Sequence, residues 1–154
     1  VKAEIVPALP EHIDIIAAKA RLADVEELWA QARSTPAQCM EQGLRYSVSA
    51  FTGLIDDVPV CLFGATPYSI LAGQGVAWMV GSTDLERLSV QKALLRKSRE
   101  AVDLLQRQFP LLFNSVDERN AAAQRWLRWL GFTLLDPAPL GPDKRLFRPF
   151  YRQG

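Results

Sequence analysis

The chain has 154 residues, 49% of them apolar and 23% charged, which suits a globular chain with one hydrophobic core and excludes a disordered one. Eighteen Lys and Arg against 17 Asp and Glu leave a formal charge of +1, without the basic excess of a duplex-binding domain. No apolar run is long enough to cross a bilayer, and the start Val-Lys-Ala-Glu-Ile lacks the pattern of a secretory signal. The two cysteines, Cys39 and Cys61, make no disulfide framework, so a reduced, cytoplasmic setting is expected.

Residues 3–8 read as a first strand, closed by Pro7 and Pro10. Residues 10–20 and 24–32 are helical in pattern, with Asp24 as N-cap and Val25, Leu28, Trp29 and Ala32 expected on one buried face. The single histidine, His12, follows Pro10 in the first helical turn with no metal-ligand spacing around it, and no chemical role is expected of it. Ser34-Thr35-Pro36 opens a short helix that runs to about Gln42, with Gly43 as its C-cap. Residues 46–55 and 58–66 then read as a hairpin around Asp56-Asp57-Val58-Pro59. The next loop ends at Gly73-Gln74-Gly75 and precedes a strand over 76–82. Its apolar Ile70 and Leu71 are expected to fold back onto the core.

The longest helix spans about 89–109, from Ser89 as N-cap to the stop at Pro110. Val90, Leu94, Ala101 and Leu105 form its inner stripe, with Ser98 in the turn between them. Lys92, Arg96, Lys97, Arg99 and Arg107, interleaved with Glu100 and Asp103, make an outer face read as solvated rather than as a nucleic-acid surface. A strand over 111–116, a helix over 120–130 and a strand over 132–135 follow. A Pro-rich loop from Asp136 then leads to a last strand over 145–151.

The run Asn120-Ala-Ala-Ala-Gln-Arg-Trp-Leu-Arg-Trp-Leu-Gly131-Phe132 places Asn at a helix start, Ala three residues on, and Gly-Phe eleven and twelve residues on. That run and the order of elements resemble the GNAT N-acetyltransferases. The resemblance implies an α/β fold in one domain over 1–154, a mixed central sheet of about six to seven strands flanked by about four helices. It also implies that Gly81 to Lys92 corresponds to the loop that binds the coenzyme A pyrophosphate, where free N–H groups at a helix N-terminus meet anionic oxygens. In the family pattern Arg/Gln-x-x-Gly-x-Gly/Ala, this chain has Ser89 and Gln91 at the glycine places and Arg87 or Glu86 near the leading one. The loop is therefore degenerate, and Gln91 obstructs a phosphate unless its side chain turns away.

On this resemblance, acetyl-CoA or another acyl-CoA is the implied cofactor. Val80, Gly81 and Ser82 would offer strand-edge amides to its pantetheine arm. Arg87, Leu88, Ser89, Val90, Gln91 and Lys92 would surround the pyrophosphate, and Asn120 and Trp126 would line the far side of the groove. Arg128 or Lys92 would reach the 3′-phosphate. Many GNAT enzymes carry a tyrosine seven residues after the helix-initial Asn, where its hydroxyl protonates the leaving thiolate. Here that residue is Leu127, which cannot donate a proton. Asp84, Glu86, Ser115 and Asp117 are the candidate bases, and no catalytic residue is assigned among them.

Trp78, Ser82-Thr83-Asp84, Arg87-Leu88-Ser89 and the leucine at 127 are also similar to a narrower GNAT-like family, the internal-virion or virion-assembly proteins of short-tailed bacteriophages. Two functions are thus implied. One is a coenzyme A-dependent N-acyltransferase acting on an unidentified amine in the infected host cell. The other is a non-catalytic virion-assembly protein on the same scaffold, with phage structural proteins as partners and Trp129, Phe147, Phe150 and Tyr151 as candidate contact residues. Neither function calls for a membrane or a nucleic acid.

Overall fold

The computed structural model describes residues 1–154, in the order β1 (Ala3–Pro7), α1 (Glu11–Ala17), α2 (Leu22–Ala32), α3 (Pro36–Tyr46), β2 (Ser49–Ile55), β3 (Val58–Ser69), β4 (Gln74–Gly81), α4 (Leu88–Gln108), β5 (Leu111–Asp117), α5 (Ala121–Trp129), β6 (Thr133–Leu134), β7 (Ala138–Leu140) and β8 (Arg145–Gln153). A 3-10 turn, Thr83–Glu86, leads from β4 into α4. The α/β architecture and the mixed sheet agree with expectation. There are eight strands, because the Pro-rich loop carries the short strand β7, and five α-helices, one for each helical segment read from the sequence.

The sheet order is β1-β2-β3-β4-β5-β8-β6, with β7 on β8. Asp56 and Asp57 both adopt left-handed backbone (φ 48° and 69°), which turns β2 into β3 in two residues and matches the twist of the strands. Every pairing is antiparallel except that of β4 with β5, whose crossover is α4. The larger core lies between the sheet and α4 with α5, built on Val90, Leu94, Ala101 and Leu105 together with Phe63, Leu112 and Phe150. A smaller core, with Ile13, Ile16, Met40, Leu62 and Val80, lies under α1 and α3 on the opposite face.

Local sequence signals decide several ends. Thr35 caps α3 through a reciprocal pair with Gln38, at 3.2 Å and 3.0 Å. Asn120 caps α5 by accepting the Ala123 N–H, and Gly131 leaves that helix at φ 90°.

Other expectations are corrected. Gly43 does not end α3 but lies inside it, because the Trp78 ring packs where a side chain would start. Asp24 and Ser89 are not N-caps: the helices start after Arg21 and Arg87, and Asp24 is drawn instead to a strand end. Trp29 and Val25 face outward, with Trp29 52% exposed, because α2 turns its acidic side inward. Ile70 and Leu71 do not fold back; they stand fully exposed at the β3–β4 hairpin tip, which outruns β2 and has no helix above it. Phe147 and Phe150 are buried and cannot form a contact surface.

Candidate active site

β4 and β5 pair only at Gln74–Leu111, Gly75–Leu112 and Val76–Phe113, then splay apart. Asn114 sits in the crotch of the resulting V. Its Nδ2 donates to the Ala77 carbonyl at 2.7 Å, while its Oδ1 accepts from Ser115 N and from Gln31 of α2. The Ser82 N–H donates to Val60 O of β3, so strand alternation turns the peptide groups of Ala77, Met79 and Gly81 toward the gap. Ala77 and Gly81 have partners there, and Met79 faces the gap with no strand paired to it.

The gap passes through the sheet as a cleft of about 170 Å³. Its two mouths differ in character. On one face α2 presents Asp24, Glu27 and Gln31; on the other, α4 and α5 present Ser98, Val102, Ala123, Trp126 and Leu127.

The two acidic residues of α2 close the ends of the splayed strands. Asp24 Oδ2 accepts the Gly81 N–H at 2.9 Å, and both its oxygens bind the buried Arg21 guanidinium at 3.0–3.1 Å. The Arg21 N–H donates in turn to Gly81 O at 3.0 Å. Glu27 Oε1 accepts the Asp117 N–H at 2.8 Å, at the end of β5. Asn120 joins the pair, with Nδ2 at 3.2 Å from Asp24 Oδ1 and 3.4 Å from Glu27 Oε1.

Burial pushes the Glu27 carboxyl up to about 8, helped by the nearby charges of Asp24 and Asp117 and opposed by the hydrogen bonds from Asp117 and Asn120. Burial acts on Asp117 in the same sense, but hydrogen bonds and charge from Arg119, with Arg145, outweigh it and hold Asp117 below the usual carboxylate range. Glu27 is thus the carboxyl of this cleft that changes charge close to neutral pH. Cys39 and Cys61 also line the cleft, but burial raises their thiols to about 12 and about 11, so neither is a ready thiolate nucleophile.

The β4–α4 turn lies beside β4's end. Gln91 is buried and its Nε2 donates to Leu85 O at 2.6 Å, so the side chain turns away from the helix tip. The Val90 and Gln91 N–H groups both donate to Arg87 O, which leaves those of Leu88 and Ser89 without a partner in the chain. Lys92 and Arg87 are exposed on this rim.

The residues singled out from the sequence therefore divide. Leu88, Ser89, Arg87 and Lys92 stand open at the helix tip, and Trp126 lines the cleft. Val80 lies opposite Leu62 inside the β3–β4 ladder, and the Ser82 and Gly81 amides are already engaged. Val90 and Gln91 turn inward. Asn120 is buried between Asp24, Glu27 and its own helix, away from open space. Asp84 and Glu86 lie in the turn outside the cleft, whereas Ser115 lines it. Glu27 went unnoticed in the sequence. Three acids in one short helix look like a solvated face, and nothing local marks which of them meets a strand end.

No protein-family model matches the sequence, and no curated relative matches it. Solved structures do. Ard1 from Thermoplasma volcanium is 17% identical with a TM-score of 0.71, covering 99% of this chain and 98% of its own. Spermidine N-acetyltransferase from Vibrio cholerae, solved with CoA and spermine, is 7% identical with a TM-score of 0.69, covering 98% and 95%. A GNAT-family acetyltransferase from Streptococcus pneumoniae is 14% identical with a TM-score of 0.68, covering 99% of both chains. Over its whole length, the chain has the fold of the GNAT N-acetyltransferases.

Proposed function

We propose that the chain is an acyl-coenzyme A-dependent N-acyltransferase for an amine, formed by one domain over 1–154. One observation carries this reading: the splayed β4–β5 cleft joins open helix-tip amides at Leu88 and Ser89 to a carboxyl, Glu27, that ionises near neutral pH. Leu88 and Ser89, with Arg87 and Lys92 beside them, suit the pyrophosphate, and the free Met79 edge suits the amides of a pantetheine arm. Bound acyl-coenzyme A supplies an activated thioester, so that the amine nitrogen bonds to the acyl carbon, the C–S bond breaks, and the proton given up by the amine is balanced by protonation of the thiolate. Glu27 is placed to take that proton from the amine, since a base works best when its pKa lies near the working pH. Leu127 leaves the thiolate to be protonated by water.

The second reading, a non-catalytic virion-assembly protein in an infected bacterium, draws on a different observation. Both peptide groups of Gly81 are held by Asp24 and Arg21, so a pantetheine arm has one site fewer on β4. Calorimetric titration with acetyl-CoA and with free coenzyme A separates the two. Saturable one-to-one binding at micromolar concentration, about 8 kcal/mol, supports the acyltransferase. No heat and no thermal stabilisation at millimolar ligand overturns it in favour of the assembly protein.

A further inference from the structure

Strand pairing sets three apolar side chains in a row on the α2–α3 face of the sheet. Val76 of β4 lies opposite Phe113 of β5, and Phe113 opposite Tyr151 of β8. Alternation fixes the face, since Leu112 and Phe150, one residue away on their strands, belong to the core under α4 and α5. Tyr68 of β3 joins the row, its ring edge-on to Phe113 with 5.2 Å between centroids. The helices of this face end beside the row. α3 ends over Trp78, whose ring packs on Gly43 and whose Nε1 donates to Ser47 Oγ at 2.9 Å. α2 ends one residue after Gln31, which reaches the crotch at Asn114. Val76, Phe113 and Tyr151 are therefore only half-buried, and Tyr68 is 69% exposed. This aromatic floor begins where the strands part, because Phe113 directly precedes Asn114. The charges of the adjoining mouth are largely spent. Asp24 is bound to Arg21, and burial pushes the Glu27 carboxyl up to about 8, which leaves no fixed anion for a second ammonium group.

Resting on the acyltransferase reading, we infer that the acceptor is a small primary monoamine with an aromatic body, its ring seated on Tyr68, Phe113 and Tyr151 and its nitrogen directed to the crotch at Asn114. Adjacent Cα atoms lie about 3.8 Å apart, so a linker of about two or three carbons spans from the floor to the crotch. An aromatic ring laid on these side chains gains edge-to-face contact beyond the burial of its area. The nitrogen bonds to the acyl carbon as the C–S bond breaks, and the proton that the amine gives up balances the one that the departing thiolate takes up.

The test measures thiol release from acetyl-coenzyme A by the purified full chain, with phenethylamine, butylamine, spermine and a tripeptide beginning with phenylalanine as acceptors. The kcat/KM for phenethylamine is expected to exceed that for butylamine by about tenfold, through KM, with spermine and the tripeptide below phenethylamine. In Tyr68→Ala and in Tyr151→Leu the phenethylamine-to-butylamine ratio is expected to shrink towards one, through a raised KM for phenethylamine. Equal constants for the amines, a preference for spermine or the tripeptide, or an unchanged ratio in both variants overturns the inference and leaves the acyltransferase reading standing. If coenzyme A binds but no amine turns over, phenethylamine is titrated by calorimetry into the coenzyme A-saturated chain. Saturable binding that weakens in Tyr68→Ala then supports the aromatic floor, and no binding overturns it. Failure of acetyl-coenzyme A and coenzyme A themselves to bind overturns both.

Discussion

Asp24 Oδ2 accepts the Gly81 N–H at 2.9 Å across 57 residues of sequence, so a helix carboxylate completes the edge of β4 where the neighbouring strand has splayed away. The same carboxylate neutralises Arg21, and both side chains are almost fully buried. Removing one member of a buried ion pair leaves the other charge uncompensated, which costs far more than the pair contributes. Asp24→Ala also orphans the Gly81 N–H. Its unfolding free energy is expected to fall by about 3–5 kcal/mol, measured by urea denaturation. Asp24→Asn keeps an acceptor for Gly81 and is expected to lose less. A loss below 1 kcal/mol in Asp24→Ala would show that water replaces the carboxylate at the strand end.

Glu27 gives stability a distinctive pH dependence. Its folded pKa, about 8, lies above the ordinary 4.5, so the folded chain binds the extra proton between those values. The stability linked to Glu27 is therefore full below pH 4.5 and is lost as pH rises through about 8. Glu27→Gln keeps a hydrogen-bond acceptor for Asp117 N and has no proton to lose. Thermal melts from pH 5 to pH 9 are expected to show a falling Tm in the parent that flattens in Glu27→Gln. If acyl transfer uses this carboxylate as base, the same variant loses about 10²–10⁴-fold in rate. Parallel melting profiles for the two proteins would remove Glu27 from both roles.

Much of this fold was legible because it rests on short-range signals. The Asn120 cap and Gly131 exit of α5, the Thr35–Gln38 box of α3 and the Asp56-Asp57 turn each act within a few residues. The inner stripe of α4 follows directly from helical periodicity, with the Ser98 gap included. The site was less legible because its key contacts are long-range. Asp24 reads as a helix cap and Glu27 as a surface charge until β4 and β5 splay and leave Gly81 and Asp117 N–H groups in need of acceptors. For the same reason the apolar residues Val25 and Trp29 end up outside: the side of α2 that faces the sheet must supply those acceptors. Gly43 reads as a helix stop until Trp78 is seen to need its surface.

Asp117 governs the acid side of the profile. Arg119 binds it through Nε at 3.0 Å and Nη2 at 2.7 Å, and its pKa is held below the ordinary 3.8. A depressed carboxylate contributes stability above its unfolded pKa and loses it as pH falls through the folded value. Arg119→Ala is expected to bring the onset of acid unfolding to higher pH, with a cost of about 1–2 kcal/mol at pH 7 because Arg119 is itself largely exposed. Identical acid transitions in the parent and Arg119→Ala would assign the acid limb to other carboxylates.

Gln91 reverses an expectation drawn from its sequence position. Where a family glycine is expected, Gln91 looks like an obstruction, and Gln91→Gly should improve phosphate access. In the structure its side chain instead ties α4 back to Leu85 O at 2.6 Å and is buried there. Glycine removes that bond, leaves the Leu85 carbonyl without its partner, and adds backbone freedom inside the first turn of the helix. Gln91→Gly is accordingly expected to lower stability by about 2 kcal/mol and to weaken coenzyme A binding, since the Leu88 and Ser89 amides lose their fixed orientation. Gln91→Glu, which cannot donate to Leu85 O when ionised, should weaken both in the same direction. Calorimetry and thermal melts on the two variants check this together. Tighter coenzyme A binding in Gln91→Gly would mean that steric access, and not orientation of the helix tip, limits the phosphate site.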